Sequence, residues 1–432
     1  MYRPGTADRF FYYTSSYDSS AELQMETELA SEIDKERLAL ALNKALGYYP
    51  EFKVRMGVKD NTIFYEENTE EVIIRDLDDE TVRHFGTDET GGYLFVPYVR
   101  GREFMLSLFH GLTDIYGIWS YMKTAFYFYY SSFNDDEKAM KEAKLPRCKK
   151  LSLDDVSGKE LRDPYDYYGN AQVKREHVFN TGDSFRVRDK RFSHDIRQLR
   201  SFLITMDAEQ VHRSAKERGS SFAPLFAAVF SEAFDRERKE GDEKVVGMMP
   251  TDMRKYYGSD TMNNFSDALY FPWEGYPDLE KGISEYTNMM ALQNKREQFD
   301  EFLKNKADFV KEIEASGEDI ETVCRNMGSL PFEDGPSDFS YGLTYPGRLE
   351  TDAEYGQLIK SVRLNAFTSI KYSGGVVSCK GRLMLIINQW FEDESIAKRI
   401  FENIRSLGID ARWEEPERCI RRNIMDIGKV KR

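Results

Sequence analysis

The sequence predicts an α/β fold of two similar lobes, each a mixed β-sheet packed with helices in two layers. Three observations lead there. The 432 residues are too many for one small core and suit two domain-sized units. Apolar residues make up 41% of the chain and aromatics 14%, with 26 Tyr and 29 Phe, enough to fill large cores. Strand-like runs interrupted by single helices recur in both halves, which argues against a helical bundle or a β-sandwich. No internal sequence repeat accompanies that rhythm.

Residues 1–180 form the predicted N-terminal lobe. Its first thirty positions read as extended, with a β-prone run from Phe10 to Thr14 and an alternation of Leu23, Met25 and Thr27 with Gln24, Glu26 and Glu28. Asp34 suits a helix N-cap; Leu38, Ala41, Leu42, Ala45 and Leu46 follow at helical spacing, and Gly47 and Pro50 stop the helix. Phe52, Val54 and Met56 alternate with Lys53 and Arg55 as a strand, which Asn61 turns into a second over Ile63–Tyr65. Tyr93–Val99 and Phe104–Phe109 are strands divided by Arg100-Gly101-Arg102. Ile115–Tyr130 is a core helix with Tyr116, Trp119, Met122 and Phe126 on one face. Residues 131–196, dense in charge and weak in period, read as a surface crossover with a short helix near Asp135–Lys144.

Residues 197–432 form the predicted C-terminal lobe. Ser201–Met206 is a strand, and Asp207 with Gln210 caps a helix that ends at Gly219. A core helix over Phe222–Arg238, a strand over Val245–Met249 and another over Ala268–Trp273 follow. Leu279–Ala315 reads as one long charged helix. Phe339–Tyr345 is β-like, Gly374–Gln389 is a hairpin turning at Lys380-Gly381, and Ser395–Leu407 is an amphipathic helix stopped by Gly408. Ala411–Trp413 is an edge strand. Residues 415–432, rich in basic side chains, are expected to fray.

The net charge of −14 and a pI of 5.1 argue against nucleic acid as a partner, which needs a basic surface. Cys148, Cys324, Cys379 and Cys419 lie far apart with no CxxC pair, so free thiols are expected and no disulfide framework or zinc cluster. The N-terminal residues lack a secretory h-region, and no run of about 18 apolar residues exists to span a membrane. These features point to the cytoplasm.

Of the five histidines, His84 and His110 each have an aspartate four residues on. His84-Phe-Gly-Thr-Asp88 lies in a polar, glycine-containing loop and reads as a solvated surface histidine. His110 follows an apolar strand and precedes a glycine-containing turn to Asp114, a context that holds an imidazole at a cleft. From the residues alone, two readings stay open: a general base, which contributes typically about 10²–10⁴-fold in rate, and a structural histidine. His177, His194 and His212 are in polar settings with no Cys or His at ligand spacing, so no metal site is expected. There is no Gly-x-Ser-x-Gly elbow, no Walker-type loop and no dinucleotide fingerprint.

Four blocks in order make the chain resemble the coenzyme-A-dependent acyltransferase superfamily: chloramphenicol acetyltransferase, plant BAHD enzymes, condensation domains and, nearest, bacterial alcohol-acetyltransferase-like proteins. Ile33-Asp34 through Pro50-x-Phe52-x-Val54-Arg55 is similar to its opening helix and strand. His110-Gly-Leu-Thr-Asp114, followed by Gly117, is similar to its His-x-x-x-Asp-Gly motif. Pro250-Thr-Asp-Met-Arg254 with Thr261-Met-Asn-Asn-Phe265 resembles its arginine block, and Leu343-Thr-Tyr-Pro-Gly347 its Ser-Asn-x-Gly floor. Asp338-Phe-Ser-Tyr-Gly342 resembles a plant-enzyme motif and is read as a packing strand.

The resemblance implies a tunnel between the lobes, with acyl-CoA as co-substrate and no permanently bound cofactor. It further implies a small alcohol or amine acceptor, His110 as base, and direct attack without an acyl-enzyme. Asp114 would be a structural brace paired with a buried arginine, for which Arg254 is the candidate, and Thr344 an oxyanion donor. Ile115, Gly117, Asn264 and Tyr345 would shape the tunnel. Ile115 stands where the family has glycine, Tyr345 where it has asparagine, and Thr344 replaces serine. Two alternatives remain: a lapsed, ligand-binding member, and a condensation-type enzyme fed by an acyl-carrier protein.

Overall fold

The computed structural model describes residues 2–15, 21–153, 155, 163–165, 183–187, 198–329, 339–350, 354–367, 371–414 and 417–430. The chain begins with a helix. Thr6–Thr14 (α1) is helical, not the extended run expected from Phe10-Phe-Tyr-Tyr-Thr14. The local signal that wins is Asp8, whose carboxylate accepts from the Gly5 N–H (3.1 Å) and closes the first turn.

Glu22–Leu29 (β1) and Lys35–Leu46 (α2) come next, the helix capped by Asp34 through the Arg37 N–H. The hairpin Val54–Lys59 (β2) and Thr62–Glu67 (β3) turns at Asp60-Asn61, both in the left-handed region. Short strands Arg75–Asp76 (β4) and Arg83–His84 (β5) precede Phe95–Arg100 (β6) and Glu103–Phe109 (β7). Ile115–Tyr130 (α3) and Glu137–Glu142 (α4) follow.

The second half runs Gln198–Asp207 (β8), Ala208–Glu217 (α5), Phe222–Asp235 (α6), Val246–Asp252 (β9), Arg254–Tyr257 (α7) and Ser266–Pro272 (β10). The expected single helix after residue 279 is broken into Leu279–Gln293 (α8) and Arg296–Ala315 (α9), with Ile320–Ser329 (α10) beyond. The break falls at Asn294, whose ψ of 54° leaves the helix and whose side chain accepts from the Tyr256 hydroxyl. Tyr341–Thr344 (β11), Ile359–Phe367 (β12), Tyr372–Cys379 (β13), Arg382–Gln389 (β14) and Ser395–Ser406 (α11) follow, then Ala411–Trp413 (β15), Glu417–Ile420 (β16) and Asn423–Ile424 (β17). The β13–β14 hairpin turns at Lys380-Gly381, with φ of 50° and 73°.

Two sheets carry the mass. The first has strand order β12, β1, β7, β6, β4, and the second β10, β9, β11, β13, β14, β8, β15, with β16 also on β8. The fold is thus mixed α/β with two sheet-rich lobes. The halves interlock: β12, from the second half, pairs antiparallel along the whole of β1. No helix among the described residues is long and apolar enough to cross a membrane.

The described part of the C-terminal segment, residues 417–430, is not frayed. Its Asn423 side chain reaches Ser107 (2.7 Å) and Tyr98 (3.1 Å), while Ile420 O accepts from Gln24 and Arg422 N donates to Glu22. That cover explains why Glu22 and Gln24 at the start of β1 are buried, while Glu26 and Glu28 further along stay part-exposed and keep the alternation. Arg421 is buried against Phe367 and Trp390 and Arg422 is buried too, so these two basic residues are covered rather than solvated, whereas Lys429 is exposed.

Candidate functional site

The central strand β7 is buried from Phe104 to Phe109 and delivers His110 at its end. The His110 N–H donates to Ala21 O (2.7 Å), beside the start of β1, which fixes the backbone where strand becomes turn. Nδ1 of His110 lies 3.1 Å from Thr113 O. A carbonyl can only accept, so Nδ1 carries the proton and Nε2 keeps its lone pair. The Asn264 amide nitrogen lies 3.2 Å from both Nδ1 and the His110 carbonyl; it donates to the carbonyl, since Nδ1–H is itself a donor.

Burial lowers the His110 pKa below its ordinary value; the Thr113 hydrogen bond and the Asp114 charge oppose this, and the Lys306 charge reinforces it. A half-buried imidazole favoured in its neutral form, with Nδ1 occupied and Nε2 in no hydrogen bond among the described residues, is equipped to accept a proton.

Asp114 is the N-cap of α3. Its Oδ1 accepts from Tyr116 N (3.1 Å) and Gly117 N (3.4 Å), and its Oδ2 accepts from Phe265 N (2.9 Å). Arg254 Nη2 lies 2.9 Å from the same Oδ2, both side chains being buried. The carboxylate braces the turn and is not a hydrogen-bond partner of the imidazole.

Arg254 spends its other donors on Thr261 O (2.7 Å), Asn263 O (2.7 Å) and Asp252 Oδ1 (2.9 Å), and its guanidinium lies over the Tyr116 ring at 4.6 Å. Burial opposes the charge, but Asp114 and Asp252 hold its pKa above the ordinary value. One residue therefore ties the loop between β9 and β10 of the second lobe to the His110 turn of the first.

Gly117 occupies the tightest point of that seam. A Cβ there would meet Thr113 Oγ1 at 2.0 Å and Met262 O at 2.7 Å. Ile115 opens α3, half-buried against the first lobe's core. The glycine that the close approach requires is thus two positions beyond the one where the family motif has it.

Tyr345 stacks on Phe222 at 3.7 Å and packs with the second core. Thr344 ends β11 opposite Gly375 and is half-buried; among the described residues no hydrogen bond joins it to His110. Asp338, His177 and His194 lie outside the described residues. His84 pairs with Glu89 (2.9 Å), not with Asp88, away from this seam.

Two neighbours of His110 had no signal in the motif. Phe11 of α1 stacks on the imidazole with centroids 4.4 Å apart. Lys306 of α9 acts on it by charge, its ammonium held over Phe10 and Phe302, each at 4.7 Å. Phe11 was hidden by the extended reading of residues 10–14. Lys306 is one cation among many on a charged helix, with nothing in sequence to distinguish it. Among the described residues no group of His, Cys, Asp and Glu could hold a metal ion.

No family model matches the chain, and no curated protein matches it in sequence. Solved structures match it in fold. A trichothecene 15-O-acetyltransferase from Fusarium sporotrichioides is 14% identical, with 94% of each chain covered and a TM-score of 0.60. A second F. sporotrichioides protein, solved with coenzyme A and T-2, is 10% identical over 96% of this chain and 99% of that one, also at 0.60. A variant of the starter condensation domain of rhizomide synthetase, in complex with C8-CoA, is 14% identical over 94% of each, at 0.59. The chain shares the two-lobed fold of acetyltransferases and condensation domains.

Proposed function

We propose that this protein is an acyltransferase that moves an acyl group from a coenzyme A thioester to a small alcohol or amine, with His110 as general base. One observation carries the reading: a half-buried His110, lowered in pKa and with Nδ1 occupied by Thr113 O, sits where the Asp114–Arg254 pair joins the lobes. The fold shared with enzymes crystallised with coenzyme A or C8-CoA supports the donor class.

In this mechanism Nε2 takes the acceptor's proton as its oxygen or nitrogen attacks the thioester carbonyl. The C–S bond then breaks, the carbonyl re-forms, and the imidazolium returns the proton to the leaving thiolate. The products are acylated acceptor and free thiol, with no acyl-enzyme. The Thr344 hydroxyl is the proposed donor to the oxyanion. Asp114 and Arg254 hold the turn; donor and acceptor approach along a tunnel at the seam, which Gly117, Asn264, Ile115 and Tyr345 border. Acyl-CoA is a co-substrate and nothing is bound permanently. The four free cysteines support a cytoplasmic setting.

Thiol release, measured over a panel of acyl-CoA and acyl-pantetheine donors with alcohols and amines, tests the reading. Turnover with at least one donor class is expected, and the two donor arms separate free coenzyme A from a carrier-linked thioester. Tight ligand binding without turnover across the panel contradicts it.

A further inference from the structure

Phe11 reaches His110 from an element that supplies no other part of the site. The rings are stacked, 4.4 Å between centroids and inclined by 28°. Phe11 is not free to leave, because α1 is gripped from two sides. Toward the first lobe, the Tyr12 ring lies 4.7 Å from that of Phe109, and the Tyr12 hydroxyl is 3.0 Å from that of Tyr65. Toward the second, Arg9 (2.7 Å) and Tyr13 (3.1 Å) bind Glu314 of α9, and Phe10 packs on Phe309 at 5.7 Å.

Among the described residues the imidazole is hydrogen-bonded along one edge only, at Nδ1, by Thr113 O. A ring fixed at one atom still tilts about that bond, which swings the opposite nitrogen. A second ring laid on its face removes that freedom and excludes water from the face it covers.

We propose that Phe11 is a positioning residue: its ring sets the plane of the His110 imidazole and shields one face, so that Nε2 is presented at a fixed angle to the acceptor. This rests on His110 being the base, as proposed above. The charged groups acting on His110 are Asp114, from the cap of α3, and Lys306, from α9. Substitution of Phe11 alters neither, so a change in the histidine's titration reports the lost ring.

The experiment compares the full-length wild type with Phe11→Leu, Phe11→Tyr and Phe11→Ala, reading thiol release, thermal unfolding and the ¹⁵N signals of the His110 imidazole. Phe11→Leu keeps an apolar side chain under α1 and is the variant that decides. The expected result is a kcat lower by about tenfold with KM within about twofold, unfolding close to wild type, and a His110 pKa closer to its ordinary value. Phe11→Tyr retains the stacking face and is expected to restore kcat. Phe11→Ala is expected to move the titration further than leucine does. A leucine variant with wild-type kcat and wild-type His110 titration overturns the proposal, as does a tyrosine variant as slow as leucine. If no donor gives turnover with the wild type, the acyltransferase reading fails on that result alone. The imidazole signals of the leucine and tyrosine variants then still decide whether Phe11 orders His110.

Discussion

In the proposed role His110 accepts a proton only while neutral, and its surroundings favour that form. Burial is the largest influence, and the Lys306 charge adds to it against the opposing Asp114 charge. The sign follows directly: a lowered pKa moves protonation of the base to lower pH. The acid limb of kcat/KM is therefore expected below the ordinary histidine value of about 6.5, and a limb at or above it contradicts the burial argument. Asp114 gives a second prediction. Asp114→Asn removes the charge opposite Arg254, which stays buried with the exposed Asp252 as its one remaining ion-pair partner among the described residues. Losing one partner of a buried pair costs about 3–5 kcal/mol, to be read from urea unfolding. A loss below about 1 kcal/mol would mean that Asp252 suffices. The resemblance to a known family named both residues, because each lies within one of its motif blocks. It could not reach Phe11, whose contact depends on α1 folding back over a strand end about a hundred positions away.

At the scale of elements, the start of α3 decides how closely the lobes approach. Gly117→Ala places a methyl group 2.0 Å from Thr113 Oγ1 and 2.7 Å from Met262 O, a carbonyl that cannot move without its loop. Overpacking of this kind costs about 1–3 kcal/mol and is expected to lower thiol release together with stability. Ile115→Gly is the contrasting change: it removes a half-buried side chain from the first turn of α3, costs about 1–2 kcal/mol and is not expected to raise activity. A marked gain in turnover from Ile115→Gly would show that the isoleucine obstructs the site. The extents of α2, α3 and the β13–β14 hairpin were legible because caps, spacing and turn residues agree there. α1 was misread because aromatic residues favour strands, while the deciding cap is a single aspartate. The long helix after residue 279 was read unbroken because charged residues continue its pattern through the Asn294 break.

Across the whole molecule, the first sheet is finished by residues from the other end of the chain. β12 lies on β1, and residues 420–424 cover the outer face of β1 at its start with hydrogen bonds. The sequence reading assigned no strand to residues 359–367, although the alternation of Val362, Leu364 and Ala366 with Ser361, Arg363 and Asn365 was visible. The strand's partner was not, since pairing at that separation leaves no local trace. The covering segment gives its own prediction. Asn423→Leu leaves Ser107 and Tyr98 without its amide and is expected to cost about 2 kcal/mol in urea unfolding, where a frayed tail would show no change. The interlocked halves place the second lobe's Arg254 and Asn264 on the first lobe's His110 turn, and the central claim is that this junction transfers acyl groups. The most direct test is His110→Ala assayed for thiol release with the donor that the wild type uses best. A fall in kcat of about 10²–10⁴-fold, with the donor still bound and the variant folded, is the predicted result. Full thiol release by His110→Ala would contradict the account.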